Sequence, residues 1–391
     1  MKKIIFMLIN TFLFAAFPDQ DLKNYQERYT YCRGKTNHQI ASCLLNGNLN
    51  YSDLRGDRSA YKKVNYENIK NEELYGDVYD YVMDLIPKTQ RYTGLKNYID
   101  YLYSIREQYM PPTFTGNDLE DIIKIKRVLN LLQNADLEEN SDHTLRLEEE
   151  LLEYQRRHGL TIDGEIGPRT KMALKESIDS IIVKVKKNLE LERISNTKPS
   201  NYILINIPEF KMHYYDNGEP VLNMKIVVGK PNMRTPIFNK DMQYIVKNPR
   251  WNVPPSIYKK EYAGRSESYL NKRGFSYNSE GKLYQKEGGK NALGVVKFLF
   301  PNKYNVYMHD TPSKSLFNKT VRAFSHGCIR LEKPLELLNE LGHAYNTDKN
   351  KWITLKEPIP VYVEYHTVWI DDEGTVQFRD DIYGYEKKLF N

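Results

Sequence analysis

Near residue 200 the apolar residues of this chain change period, and that change limits what each half can fold into. Before it, Ile178, Ile181, Ile182, Val185 and Leu189 recur at i, i+3, i+4, i+7 and i+11, the single apolar face of an amphipathic helix. After it come short β-rich runs: Tyr202-Ile203-Leu204-Ile205-Asn206-Ile207, then 210–215 and 221–228. Asp216-Asn217-Gly218 between the last two reads as a hairpin turn. Further strands are expected near 242–246, 296–300, 305–309 and 360–369, with one helix over 334–341. The expectation is a multidomain α+β chain, in which a mostly helical N-terminal half precedes a β-sandwich-like domain over 200–391.

Residues 20–142 read as a helical scaffold, with Pro111-Pro112 breaking the chain before a helix over 118–133. The tyrosines strewn from Tyr51 to Tyr103 could stack on sugars, but half-buried packing is the commoner fate of such a stripe. Residues 143–176 form a compact module. Leu147, Leu151 and Tyr154 keep helical spacing, Gly159 stops that helix, Asp163-Gly164 turns the chain, and Gly167-Pro168 opens the next helix. That second helix is expected to run on through a linker at 177–199.

Residues 1–17 look like a targeting segment. Lys2 and Lys3 precede an apolar stretch, 4–17, that ends near Ala15-Ala16. Fourteen residues are short of the roughly 20 that span a bilayer. A cleaved signal peptide and an exported, periplasmic location are expected, with an uncleaved inner-membrane anchor as the alternative. In such a compartment Cys32 and Cys43, eleven positions apart, could oxidise and leave Cys328 as the odd thiol; both could also stay buried and reduced. The net charge of +6 is spread without a dense basic block, so a nucleic-acid partner is not expected.

Cys328 is the residue with the clearest chemistry. A thiol is mostly protonated at neutral pH and needs a base to become a nucleophile. His309, nineteen positions upstream at the end of Val306-Tyr307-Met308, is the candidate base. Gly327 and Cys328 could offer backbone N–H groups to a developing oxyanion. Zinc binding is the first competing reading, but His326 and Cys328 lack a second close pair of ligands. An inert buried cysteine is the second, and the polar neighbours Ser325, His326 and Arg330 speak against it. No metal is assigned.

The spacing of His309, fifteen residues, then Ser325-His326-Gly327-Cys328-Ile329-Arg330 resembles the signature of the L,D-transpeptidases with a YkuD-type catalytic domain. Lys297-Phe298-Leu299-Phe300-Pro301-Asn302, Asn248-Pro249-Arg250-Trp251-Asn252-Val253-Pro254-Pro255-Ser256-Ile257 and Phe378-Arg379-Asp380-Asp381-Ile382-Tyr383 resemble the multidomain YcbB-like branch, and 154–170 is similar to the helical peptidoglycan-binding domain. The resemblance implies a peptidoglycan L,D-transpeptidase acting on stem peptides and glycan without a cofactor. In it Cys328 would attack the third residue of a tetrapeptide stem, release D-alanine and pass the acyl group to an amine, forming a 3-3 crosslink. His309 would serve as base and then acid, Gly327 and Cys328 as oxyanion donors, and His326 and Arg330 to orient the loop or a donor carboxylate. Ser325 belongs to the same motif, and Tyr307 and Trp251 would wall the pocket. It also implies a capping role for 258–294, read as a mobile lid too poor in regularly spaced apolar residues to bury its own core. The competing functions are an L,D-carboxypeptidase or endopeptidase on the same stems, and a non-catalytic wall-binding scaffold.

Overall fold

A computed structural model of the chain describes residues 20–31, 33–47, 55–57, 59, 61, 78–347 and 349–389. The expected targeting segment and Cys32 lie outside the described residues. Cys43 is disulfide-bonded and Cys328 is a free thiol. The chain divides into two units, one made of residues up to 53, 61–196 and 366–391, the other of 54–60 and 197–365.

The first unit is helical: α1 (Gln20–Tyr29), α2 (Asn37–Asn46), α3 (Val78–Leu85), α4 (Gln90–Ile105), α5 (Asp118–Gln133), α6 (Leu145–Arg157), α7 (Pro168–Leu174) and α8 (Ile178–Ile194). Local sequence sets the starts. Thr89, Asn117 and Thr144 each accept a hydrogen bond from a backbone N–H of the first turn. The helix expected to continue past Leu174 instead breaks, because Ser177 accepts from Ser180 N and caps a new one. In the 143–176 module the buried Gln155 holds the turn: its Nε2 donates to Glu165 O at 2.9 Å and its Oε1 accepts from Asp163 N at 3.0 Å and Gly164 N at 2.9 Å.

One continuous core runs through Leu95, Ile99, Leu129, Leu151, Val185 and Leu189, so the expected scaffold, module and linker helix are a single packed body. Val368, Ile370, Val376 and Phe378 join that core. The C-terminal hairpin Val368–Ile370 with Val376–Phe378 therefore belongs to the helical unit, and the second unit ends at 365 where the expected catalytic domain runs to 391. Gly94 makes the approach possible: a Cβ there would stand 2.7 Å from Ile370 Cγ1.

The second unit contains β1 (Tyr202–Asn206), β2 (Lys211–Asp216), β3 (Glu219–Gly229), β4 (Phe238–Lys247), β5 (Trp251–Asn252), β6 (Phe275–Tyr277), β7 (Leu283–Gln285), β8 (Val296–Leu299), β9 (Met308–His309), β10 (Ala323–Ser325), β11 (Ile329–Leu331) and β12 (Lys351–Glu364). Nine of these pair in the order β10-β3-β11-β9-β8-β4-β12-β1-β2, and β2 also pairs with β3. The pairing path returns on itself, so the sandwich-like domain is one sheet closed into a ring. Ile203, Ile205, Ile245, Phe298, Met308 and Val361 are fully buried in it. The predicted hairpin is present, with Asn217 at φ 53° and Gly218 at φ 86° in a two-residue turn.

The insertion differs from its expectation. β5, β7 and β6 form a separate small sheet, and Val253, Leu270, Phe275 and Leu283 bury a core against Trp251 and Tyr262. Its strands are two or three residues long, too short to display a period in sequence, which is why the core was not anticipated.

Candidate active site

Backbone register builds the site. β9 and β11 run parallel, with Met308 opposite Ile329 and His309 opposite Arg330. Ile329 N donates to Tyr307 O at 3.0 Å, so Tyr307 stands level with Cys328. Side chains alternate along strands, so Tyr307 and His309 share one face, and Cys328 and Arg330 share the same face of the next strand. On the other side β8 pairs antiparallel with β9 and sets Lys297 opposite His309. These five side chains line one cavity of about 660 Å³, together with Trp251, Ser325 and His326.

Two hydroxyls fix the turn that carries the thiol. Ser325 Oγ donates to Cys328 O at 2.6 Å and accepts from Gly327 N at 3.0 Å. Thr235 Oγ1 donates to Gly327 O and accepts from Gly229 N, both at 2.9 Å. Gly327 has φ +120°, a conformation that L side chains rarely adopt. The Gly327 N–H, one of the two expected to meet an oxyanion, is thus already given to Ser325, and Ser325 and Thr235 together hold the turn that carries Cys328.

The electrostatics follow from burial. Burial pushes the Cys328 thiol up, while the Tyr307 backbone and hydroxyl, Arg330 and Lys297 oppose the shift. Burial, with Arg330 and Lys297 nearby, pushes His309 down to about 3. At neutral pH the resting pair is therefore a neutral thiol and a neutral imidazole. His309 Nδ1 contacts Asp310 O; a carbonyl can only accept, so the ring proton sits on Nδ1 and Nε2 keeps its lone pair. The His309 and Tyr307 ring centroids are 5.6 Å apart. Cys328 Sγ also donates to Asn305 O at 3.8 Å.

His326 is turned to the insertion, where its Nε2 lies 2.7 Å from Glu261 Oε1. Trp251 packs edge-on to Tyr262, centroids 6.3 Å apart. The structure thus gathers all the expected side chains around one cavity. It adds residues the sequence reading did not assign. Arg55, Arg250, Lys260 and Lys297 join Arg330 in the lining, where Glu261 is the sole carboxylate among the described residues. Thr235 was also unassigned. Lys297 lay inside a stretch already noticed, but nothing local to Arg55 connects it to a site some 270 positions away.

Residues 200–363 match the sequence model of the L,D-transpeptidase catalytic domain of the YkuD family. Those residues are a YkuD-type L,D-transpeptidase domain. A Haemophilus influenzae protein provisionally named an L,D-transpeptidase is 31% identical over a 223-residue alignment, and the match covers 48% of this chain and 45% of that protein. The match therefore takes in less than half the length of that relative. Among solved structures, the catalytic domain of the E. faecium L,D-transpeptidase acylated by ertapenem is 18% identical over 43% of this chain and 100% of that one, with a TM-score of 0.27. An L,D-transpeptidase from Mycobacterium smegmatis is 18% identical over 42% of this chain and 58% of that one, with a TM-score of 0.26. The YkuD-type domain ends two residues short of the second structural unit, which places Cys328, His309 and the whole cavity lining within or beside it, Arg55 alone coming from far upstream.

Proposed function

We propose that this protein is a peptidoglycan L,D-transpeptidase that carries the acyl group on Cys328. The observation that supports this most is the register of β9 and β11, which sets Tyr307 beside Cys328 and His309 beside Arg330 in one cation-rich cavity of a YkuD-type domain. As Sγ of Cys328 attacks the carbonyl of the third, diamino-acid residue of a tetrapeptide stem, its proton passes to His309 Nε2. The oxyanion is met by Cys328 N–H, with the cations around it lowering the charge cost. The C–N bond to D-alanine breaks, and the imidazolium returns the proton to the departing amine. An amine of a neighbouring stem then attacks the thioester and gives a proton to His309. Sγ leaves and is reprotonated, and a 3-3 crosslink results.

The raised thiol and depressed imidazole fit this order of events, because proton transfer accompanies attack and no thiolate has to persist in the resting enzyme. The insertion caps the cavity through Glu261 and Tyr262 and screens the thioester from water. The 143–176 module is read as the glycan-binding element. A disulfide-bonded Cys43 supports an oxidising, exported compartment. Incubation with defined tetrapeptide muropeptides, followed by mass spectrometry, tests the reading. Crosslinked dimer with loss of D-alanine supports it; tripeptide alone replaces it with a carboxypeptidase, and unchanged substrate overturns it.

A further inference from the structure

The catalytic unit includes one short piece of chain from far upstream, of which residues 55–57 and 59 are described. It is anchored by its backbone. Ile237 N donates to Arg55 O at 2.9 Å, and Asp57 N donates to Ile237 O at 3.0 Å, a parallel bridge centred on Gly56. Asn239 N donates to Ser59 Oγ at 3.1 Å. Tyr304 OH donates to Asp57 Oδ2 at 3.3 Å, and Lys303 Nζ stands 3.4 Å from the same oxygen. A Cβ on Gly56 would lie 2.3 Å from Ile237 O, so this approach is open to glycine alone. The result is a built strap, and it ends in a cation. Both terminal nitrogens of Arg55 lie 3.7 Å from where a Gly327 Cβ would stand, beside the turn that carries Cys328, and Arg55 lines the Cys328 cavity.

We infer that Arg55 is a specificity-determining residue, which holds a carboxylate of the peptide bound over Cys328. The inference rests on the proposed function for the identity of that peptide as a stem tetrapeptide. Arginine is the side chain suited to the task, because its planar fork can meet a carboxylate with two parallel hydrogen bonds. The lining as a whole is set for an anion, with five cations, Arg55, Arg250, Lys260, Lys297 and Arg330, against Glu261. Glu261 is already paired with His326. Arg330 Nε, which has no partner among the described residues, is a second donor near the same turn. The strap's anchoring gives Arg55 what a flexible surface arginine lacks, a fixed origin for its side chain.

The test measures how well stem tetrapeptides protect Cys328 from iodoacetamide, so it does not depend on turnover. The free-acid tetrapeptide is compared with forms in which each carboxylate in turn is converted to its amide, on wild type, Arg55→Gln, Arg55→Lys and Gly56→Val. In wild type one amide should protect roughly 10- to 100-fold less well than the acid. Arg55→Gln should make that amide and the acid equal while the other amides keep their rank, and Arg55→Lys should restore part of the difference. Gly56→Val, which leaves Arg55 in the chain but blocks the strap's seat, should behave as Arg55→Gln does. Protection of wild type with the same discrimination in Arg55→Gln overturns this inference alone, as does an equal loss for every peptide. No protection of wild type by any form overturns the substrate assignment and the inference with it.

Discussion

Replacing Ser325 by alanine tests whether the thiol is held by the geometry described. The hydroxyl has two duties, accepting from Gly327 N at 3.0 Å and donating to Cys328 O at 2.6 Å. Ser325 is buried, at 1% exposure, so no water can take its place without a cavity. Leaving the buried Gly327 N–H unpaired costs about 1–3 kcal/mol, and losing the more exposed bond to Cys328 O costs about 0.5–1.5 kcal/mol. The expected destabilisation is therefore about 1.5–4.5 kcal/mol. Urea unfolding can be followed by tryptophan fluorescence, since Trp251 and Trp352 lie in the catalytic unit and Trp369 in the helical one. Acyl transfer should fall roughly 100-fold, the usual penalty for a reacting atom displaced by about 1 Å. A Ser325→Ala protein within about 0.5 kcal/mol of wild type that transfers acyl groups at the wild-type rate would refute this account of the turn.

Thr235→Val should cost about 1–3 kcal/mol, because it strips the partner from the buried Gly229 N–H and Gly327 carbonyl, while Thr235→Ser should retain most of the stability; equal urea midpoints for the two would count against it. His309 is held near 3 in the folded state against an ordinary value of 6.5, so the unfolded chain binds a proton that the folded one refuses. Its contribution is complete above about pH 6.5 and is lost as the pH falls towards 3, and His309→Asn should flatten the stability profile of the catalytic unit across that window. Glu261→Ala removes a partly exposed partner of His326 and should change stability by no more than about 1 kcal/mol. It should nevertheless raise the ratio of tripeptide to crosslinked product, and an unaltered ratio would separate the cap from the chemistry.

The sequence showed most where its signals were local. The switch of period at residue 200, the Asn217-Gly218 hairpin and the run from Ser325 to Arg330 each lie in a few contiguous residues, and each is found in place. It showed least where distant pieces of chain meet. Val368 reads as an ordinary strand residue, and nothing in it or in Phe378 says that the core they complete is helical. Arg55 reaches the cavity through backbone bonds to Ile237, which leave no side-chain pattern to read; Gly56 alone hints at a close approach. The role of Ser325 turned on which donor its oxygen satisfies, a question of geometry that spacing does not answer. The insertion's core was hidden because elements of three residues have no period to read.

The central claim is that the acyl group is carried by Cys328, and intact-mass spectrometry of the protein quenched in acid during reaction with a tetrapeptide stem measures this directly. The account predicts a mass gain equal to the stem less D-alanine, mapped to the peptide containing Cys328, discharged by an added amine acceptor and missing from Cys328→Ala. A protein that forms crosslinks with no such adduct, or one in which Cys328→Ala still becomes acylated, would contradict it.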